Sequence, residues 1–156
     1  MLKLYKVIDR TCKYWETWNK NKKIGIIHWG EVGDHGQNPE IKSSLLHNFK
    51  RKMQRLAHEK DREGYVEIEV SSKLTIEFKV EKHGTVANVG KRNKVQGKIN
   101  ELSGWTGLGD CGGSSMCNGT MEICTNVVDF EIAKRVIEKN IIGTEFQTYT
   151  SIYSEN

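Results

Sequence analysis

The chain has 156 residues, 37% of them hydrophobic, and a formal net charge of +4, which suits one ordinary domain or two small ones with their own cores. No stretch approaches the run of about 20 apolar residues that a membrane-spanning helix needs. The opening MLKLYKVIDR lacks the apolar run of a secretory leader, so a reducing cytoplasm is expected, with Cys12, Cys111, Cys117 and Cys124 as free thiols rather than a disulfide framework.

In chain order, residues 2–8 (LKLYKVI) alternate apolar and polar side chains. Residues 13–18 (KYWETW) and 23–29 (KIGIIHW) are β-rich runs separated by the turn-prone Asn19, Lys20, Asn21 and Lys22, which predicts an antiparallel meander. The segment IIHWGEVGDHGQ then places Gly30, Gly33 and Gly36 within seven residues. Past Pro39, Ser43 or Ser44 is placed to cap a helix that carries Leu45, Leu46, Phe49, Met53, Leu56 and Ala57 at three- and four-residue spacing. Its opposite face shows Lys50, Arg51, Lys52, Arg55, Lys60 and Arg62, and Gly64 ends it. A return strand over 65–69 closes a first domain, residues 1–70.

The second domain, residues 71–156, opens with the alternating strand LTIEFKV (74–80), followed by a weaker helix over 89–103. Six glycines between positions 104 and 119 predict a long loop of the kind that is often functional. TMEICTNVV (120–128) reads as a buried strand, Asp129 as the cap of the helix FEIAKRVIEKN, and 144–153 as a last strand. The predicted fold class is α+β: an antiparallel sheet with one packed helix, then a small α+β unit of ferredoxin-like type with a strand missing or displaced.

Charge divides along the same boundary. Residues 1–64 hold 14 Lys and Arg against 8 Asp and Glu, and the remainder holds 10 against 12. A basic half suits a polyanionic partner, through phosphate neutralisation and counterion release.

The opening strand with Leu4 and Tyr5, the aromatic strand with Tyr14 and Trp15, the run Trp29-Gly30-x-Val32-Gly33-x-x-Gly36-Gln37, a long helix with Phe49 and Lys60, and the closing Gly64-Tyr65 together resemble a WGR domain. That module is named for a Trp-Gly-Arg motif and occurs in DNA-damage-responsive poly(ADP-ribose) polymerases and in assorted bacterial proteins. The resemblance covers about residues 1 to 70 and implies a non-enzymatic DNA-binding role in which the motif tryptophan, here Trp29, rests against a sugar at the DNA end. Lys50, Arg51 and Arg55 are the basic residues expected to assist it, and Gly30, Gly33 and Gly36 form the turn. The motif arginine is replaced by Glu31, which removes a cation where phosphate would approach.

Other chemistry finds little support. Gly107 to Gly112 satisfies GxGxxG, but a helix is predicted before it and no helix directly after, the reverse of a dinucleotide loop. Cys111, Cys117 and Cys124 lack the paired short spacings of a structural zinc site. No residue set supplies a nucleophile with its base and oxyanion donors, so no enzyme activity, cofactor or metal is expected. The second expectation is a protein-interaction module, such as a bacterial immunity protein that neutralises a toxin, docking through Trp105, Asp110 and Glu122 in and beside the glycine-rich segment.

Overall fold

The computed structural model describes residues 1–44, 48–68, 72–81 and 84–155. The chain divides into two compact units, Met1–Glu69 and Val70–Asn156, and the class is α+β, with three helices and two four-stranded antiparallel sheets among the described residues.

In the first unit, β1 (Leu2–Ile8), β2 (Thr11–Asn19), β3 (Ile24–Glu31) and the short β4 (Glu40–Lys42) form a meander in the order β1-β2-β3-β4. Cross-strand register places Leu4, Trp15 and Trp29 in one row and Leu2, Thr17 and Ile27 in the next. Strand residues alternate between faces, so these rows share one face. Helix α1 (Phe49–Arg62) packs there, burying Phe49 and Met53 against Leu4, Trp15, Ile27 and Ile41. Asn48 caps it, its Oδ1 accepting from Lys50 N at 2.8 Å, and Ser43 Oγ accepts from Phe49 N at 3.2 Å. The expected serine therefore does satisfy a first-turn amide, although the cap position itself is Asn48. Leu45 and Leu46 lie outside the described residues.

Helix α1 crosses the sheet on a diagonal. Its start sits over Gly25, where an added Cβ would come within 2.0 Å of Met53 Sδ and 2.8 Å of Phe49. Its end lies beside β1, where the Lys6 amine donates to the Glu63 carbonyl. The expected return strand is reduced to a single bridge, Tyr5 N to Val66 O at 2.8 Å and Val66 N to Tyr5 O at 2.9 Å; Glu69 lies outside the described residues.

The second unit runs β5 (Ser72–Lys79), α2 (Val86–Trp105), β6 (Gly109–Cys117), β7 (Thr120–Val127), α3 (Phe130–Ile141) and β8 (Ser151–Glu155), with sheet order β6-β7-β5-β8. This β-α-β-β-α-β order with antiparallel pairing is the complete ferredoxin-like arrangement. The strand expected to be missing or displaced is the glycine-rich segment: where the sequence predicts a loop over 104–119, residues 109–117 pair with β7. Gly109, at φ 148°, permits this, because a Cβ there would lie 1.9 Å from the Asn126 carbonyl oxygen. Leu74, Ile76, Phe78, Met121, Ile123 and Val127 are fully buried, as are Val95 and Ile99 of α2 and Ala133 and Ile137 of α3. Asp129 caps α3 as expected, accepting from Ile132 N at 2.9 Å. The predicted last strand starts late: Gly143 is at φ 76°, and the Thr144 hydroxyl donates to the Ile141 carbonyl and accepts from Phe146 N. That turn leaves only 151–155 for the sheet.

Candidate functional site

The diagonal path of α1 explains why Trp29 is reachable. The helix begins over Gly25 and leads away toward β1, so α1 does not cover the far end of β3; Trp29 keeps 37% of its surface exposed. Its backbone is fixed from the turn, with Trp29 N donating to Gln37 O at 3.1 Å and Gln37 N donating to Trp29 O at 2.9 Å. The indole is thus a partly exposed aromatic surface on a rigid mount.

Beneath it, on the other face of the sheet, lies a chain of buried polar groups. Glu16, Tyr14 and His28 alternate with core positions in the sequence, yet Glu16 is 3% exposed and Tyr14 and His28 are fully buried. His28 Nδ1 lies 2.7 Å from Glu16 Oε1 and His28 Nε2 lies 2.9 Å from the Tyr14 hydroxyl. A carboxylate only accepts, so Nδ1–H donates to Glu16, while the Tyr14 hydroxyl, hydrogen-bonded to Nε2, also lies 3.4 Å from the Asp34 carbonyl oxygen in the turn. Lys3 Nζ, 3.5 Å from Glu16 Oε2, supplies a countercharge. Burial, and after it the negative charge of Glu16, push the Tyr14 phenol above its ordinary range.

The turn closes over this relay. A Cβ on Gly36 would stand 2.3 Å from the Tyr14 hydroxyl and 2.8 Å from His28 Nε2, and one on Gly30 would meet Gly36 Cα at 3.0 Å. Gly33, at φ 101°, supplies the left-handed residue of the turn. The three glycines have distinct tasks: Gly30 and Gly36 permit close approach, and Gly33 permits reversal. Packed so tightly, the Tyr14 hydroxyl holds the turn to β2 and β3.

Register also assembles charges at the Trp29 end. Lys6, Lys13 and Glu31 form one cross-strand row, so Glu31 has Lys13 of β2 as its direct cross-strand neighbour. Opposite charges in that position attract, and the partner offsets the carboxylate's repulsion of an approaching anion. Behind the row, Lys60 Nζ and Lys6 Nζ lie 5.3 Å and 5.9 Å from the Tyr65 ring centre.

Of the basic residues singled out from sequence, Lys50 and Arg51 project from the first turn of α1, at the Gly25 end of β3, which is about 13 Å along the strand from Trp29 at ~3.3 Å per residue. Arg55 is exposed and pairs with Glu59 at 3.5 Å. They form a basic helix surface rather than a cluster around the indole. Lys6 and Lys13 do lie toward the Trp29 end; only the register that pairs Trp15 with Trp29 reveals them.

In the second unit, Trp105, Asp110 and Glu122 do not converge. Trp105 ends α2, on the helical layer. Asp110 and Glu122 occupy strand positions that alternate with the core residues, which places them on the sheet's other face. Asn126 Nδ2 donates to the Asp110 carboxylate at 3.3 Å, and Ser115 and Tyr153 hydroxyls donate to Glu122 at 3.0 Å and 3.3 Å. Cys111 donates weakly to the Cys124 carbonyl at 3.5 Å, and burial pushes its thiol up. No group of three or more His, Cys, Asp or Glu side chains suited to a metal occurs among the described residues, and no helix there is long and apolar enough to cross a membrane.

The fold and the site thus define a two-unit α+β chain with a rigid aromatic and basic end on its first sheet. Comparison with known proteins finds no matching family model, no similar curated protein and no similar solved structure.

Proposed function

We propose that this chain is a non-enzymatic nucleic-acid-binding protein of WGR type whose contact end is Trp29 with Lys13. The observation that carries the reading is the mount of Trp29: 37% exposed, at the uncovered end of β3, over a hydrogen-bonded relay that prevents the turn from collapsing. An indole so held stacks on a sugar or base at a strand end, where stacking contributes about 1–3 kcal/mol. Lys13 neutralises phosphate beside it, and Lys6, Lys50, Arg51 and Arg55 supply longer-range attraction. Glu31 is tolerated because Lys13 faces it.

Fluorescence anisotropy with labelled blunt and nicked DNA duplexes at two salt concentrations tests the reading. Binding is expected to weaken with salt, to fall about tenfold or more in Trp29→Ala, and to lose about one unit of salt slope in Lys13→Ala. Absence of binding at low salt, or equal affinity for Trp29→Ala, refutes it.

A further inference from the structure

A different surface in the second unit has the geometry of a receptor for polypeptide. Strand β6 is an edge of its sheet, bonded among the described strands to β7 alone. Its nine residues, GDCGGSSMC, include no lysine, arginine or proline and a single charge, Asp110, near the start. Exposed edges are ordinarily guarded by lysine, proline or shortness; the opposite edge, β8, has only five residues. The register of β6 slips between Cys111 and Gly113, and from Gly113 to Cys117 the pairing is regular. Alternate residues of such an edge turn both N–H and C=O away from the sheet. Asp110, Gly112, Ser115 and Cys117 are exposed.

Beside the edge runs a groove of about 400 Å³ lined by Asn93, Gln96, Gly97 and Asn100 of α2 and by Cys111 at the bulge. The three amide residues recur at three- and four-residue spacing and therefore share one face of the helix. Between them Gly97 leaves the floor open: a Cβ there would have no heavy atom within 4 Å. The lining offers donors and acceptors but no charge. Gln96 Oε1 already accepts from Ser114 Oγ at 2.7 Å, which leaves its amide N–H groups to face the groove.

We infer that β6 and α2 form a β-addition site for an extended peptide with uncharged, small polar side chains. The peptide backbone adds a fifth strand to the sheet at Gly113–Cys117, and alternate side chains, of the Ser, Thr or Asn kind, enter the amide-lined groove. Only a polypeptide repeats donors and acceptors at the spacing of a strand edge, and the uncharged lining does not suit a phosphate backbone. A second copy of the chain is the poorer occupant. The side chains that its β6 would direct toward the helix are Ser114, which is bonded to Gln96, and Met116, which packs at Gly84, so neither is free to fill the groove. This site is independent of the nucleic-acid reading.

Panning a phage-displayed library of short random peptides against the full chain, followed by binding of the enriched synthetic peptides to the parent and Gly97→Trp, tests the inference. The indole of Gly97→Trp fills the groove from a helix position with free space around it, and circular dichroism checks that the variant keeps its helices. Enriched peptides should bind the parent, bind Gly97→Trp about tenfold or more weakly, a change of about 1.4 kcal/mol, and slow amide exchange at residues 113–117. No enrichment, binding indifferent to Gly97→Trp, or protection elsewhere overturns it. A dimer in sedimentation that Gly97→Trp abolishes also overturns it, by making a second copy the occupant.

Discussion

Replacing Gly36 with alanine probes the region on which the Trp29 end depends. The added carbon would stand 2.3 Å from the Trp29 carbonyl oxygen, 2.3 Å from the Tyr14 hydroxyl and 2.8 Å from His28 Nε2. None of these can swing aside cheaply: the carbonyl belongs to the Trp29–Gln37 backbone pair, and both side chains are fully buried. Forcing extra volume into a packed site costs about 1–3 kcal/mol. If the turn yields by separating Tyr14 from His28, a buried polar pair is left unsatisfied at about 1–3 kcal/mol more. The expected loss is therefore about 2–6 kcal/mol, against a total of about 5–15 for a domain of ordinary stability. Urea unfolding followed by tryptophan fluorescence measures it, since Trp15, Trp18 and Trp29 of the four tryptophans lie in the first unit. The transition should move to lower urea with an unchanged slope. A change within about 0.5 kcal/mol, the usual range for an innocuous surface substitution, refutes the packing argument.

Two further outcomes follow from the same geometry. The Tyr14 phenol titrates above its unfolded value of about 10, so its contribution to stability is complete below that pH and is lost as pH rises toward the higher folded value; Tyr14→Phe should flatten the alkaline part of a stability-against-pH curve while lowering stability at neutral pH by about 1–2 kcal/mol. Gly97→Ala should stabilise the second unit by about 1 kcal/mol, because it removes a glycine from a helix interior with no steric objection, and thermal unfolding would show an unmoved or lowered midpoint if the space at that position were not open.

Local pattern carries the elements well where side chains alternate or recur with a clear period. Strand β1, the aromatic β2, the apolar β5 and the alternating β7 are legible because each has one face in a core, and α1 and α3 because Phe49 and Met53, or Ala133 and Ile137, recur on one side. Strand β6 is not legible, because glycine and serine have little intrinsic preference for a strand; its conformation is imposed by β7, whose backbone comes close enough at Asn126 that only glycine fits at position 109. The turn glycines are visible in the sequence as a cluster, but their separate tasks depend on what lies across from each.

Taken alone, the sequence determines an α+β chain in two parts, a basic first half and an aromatic residue at a glycine turn, since composition and periodicity are properties of neighbours along the chain. Tertiary structure alone decides that Glu16, His28 and Tyr14 form a buried relay, that Lys13 faces Glu31, that Trp29 escapes the diagonal of α1, and that a glycine-rich segment becomes an edge strand. Each of these depends on register between strands distant in sequence or on the angle at which a helix crosses a sheet. Those quantities are set by packing across the whole unit, and no local pattern encodes them.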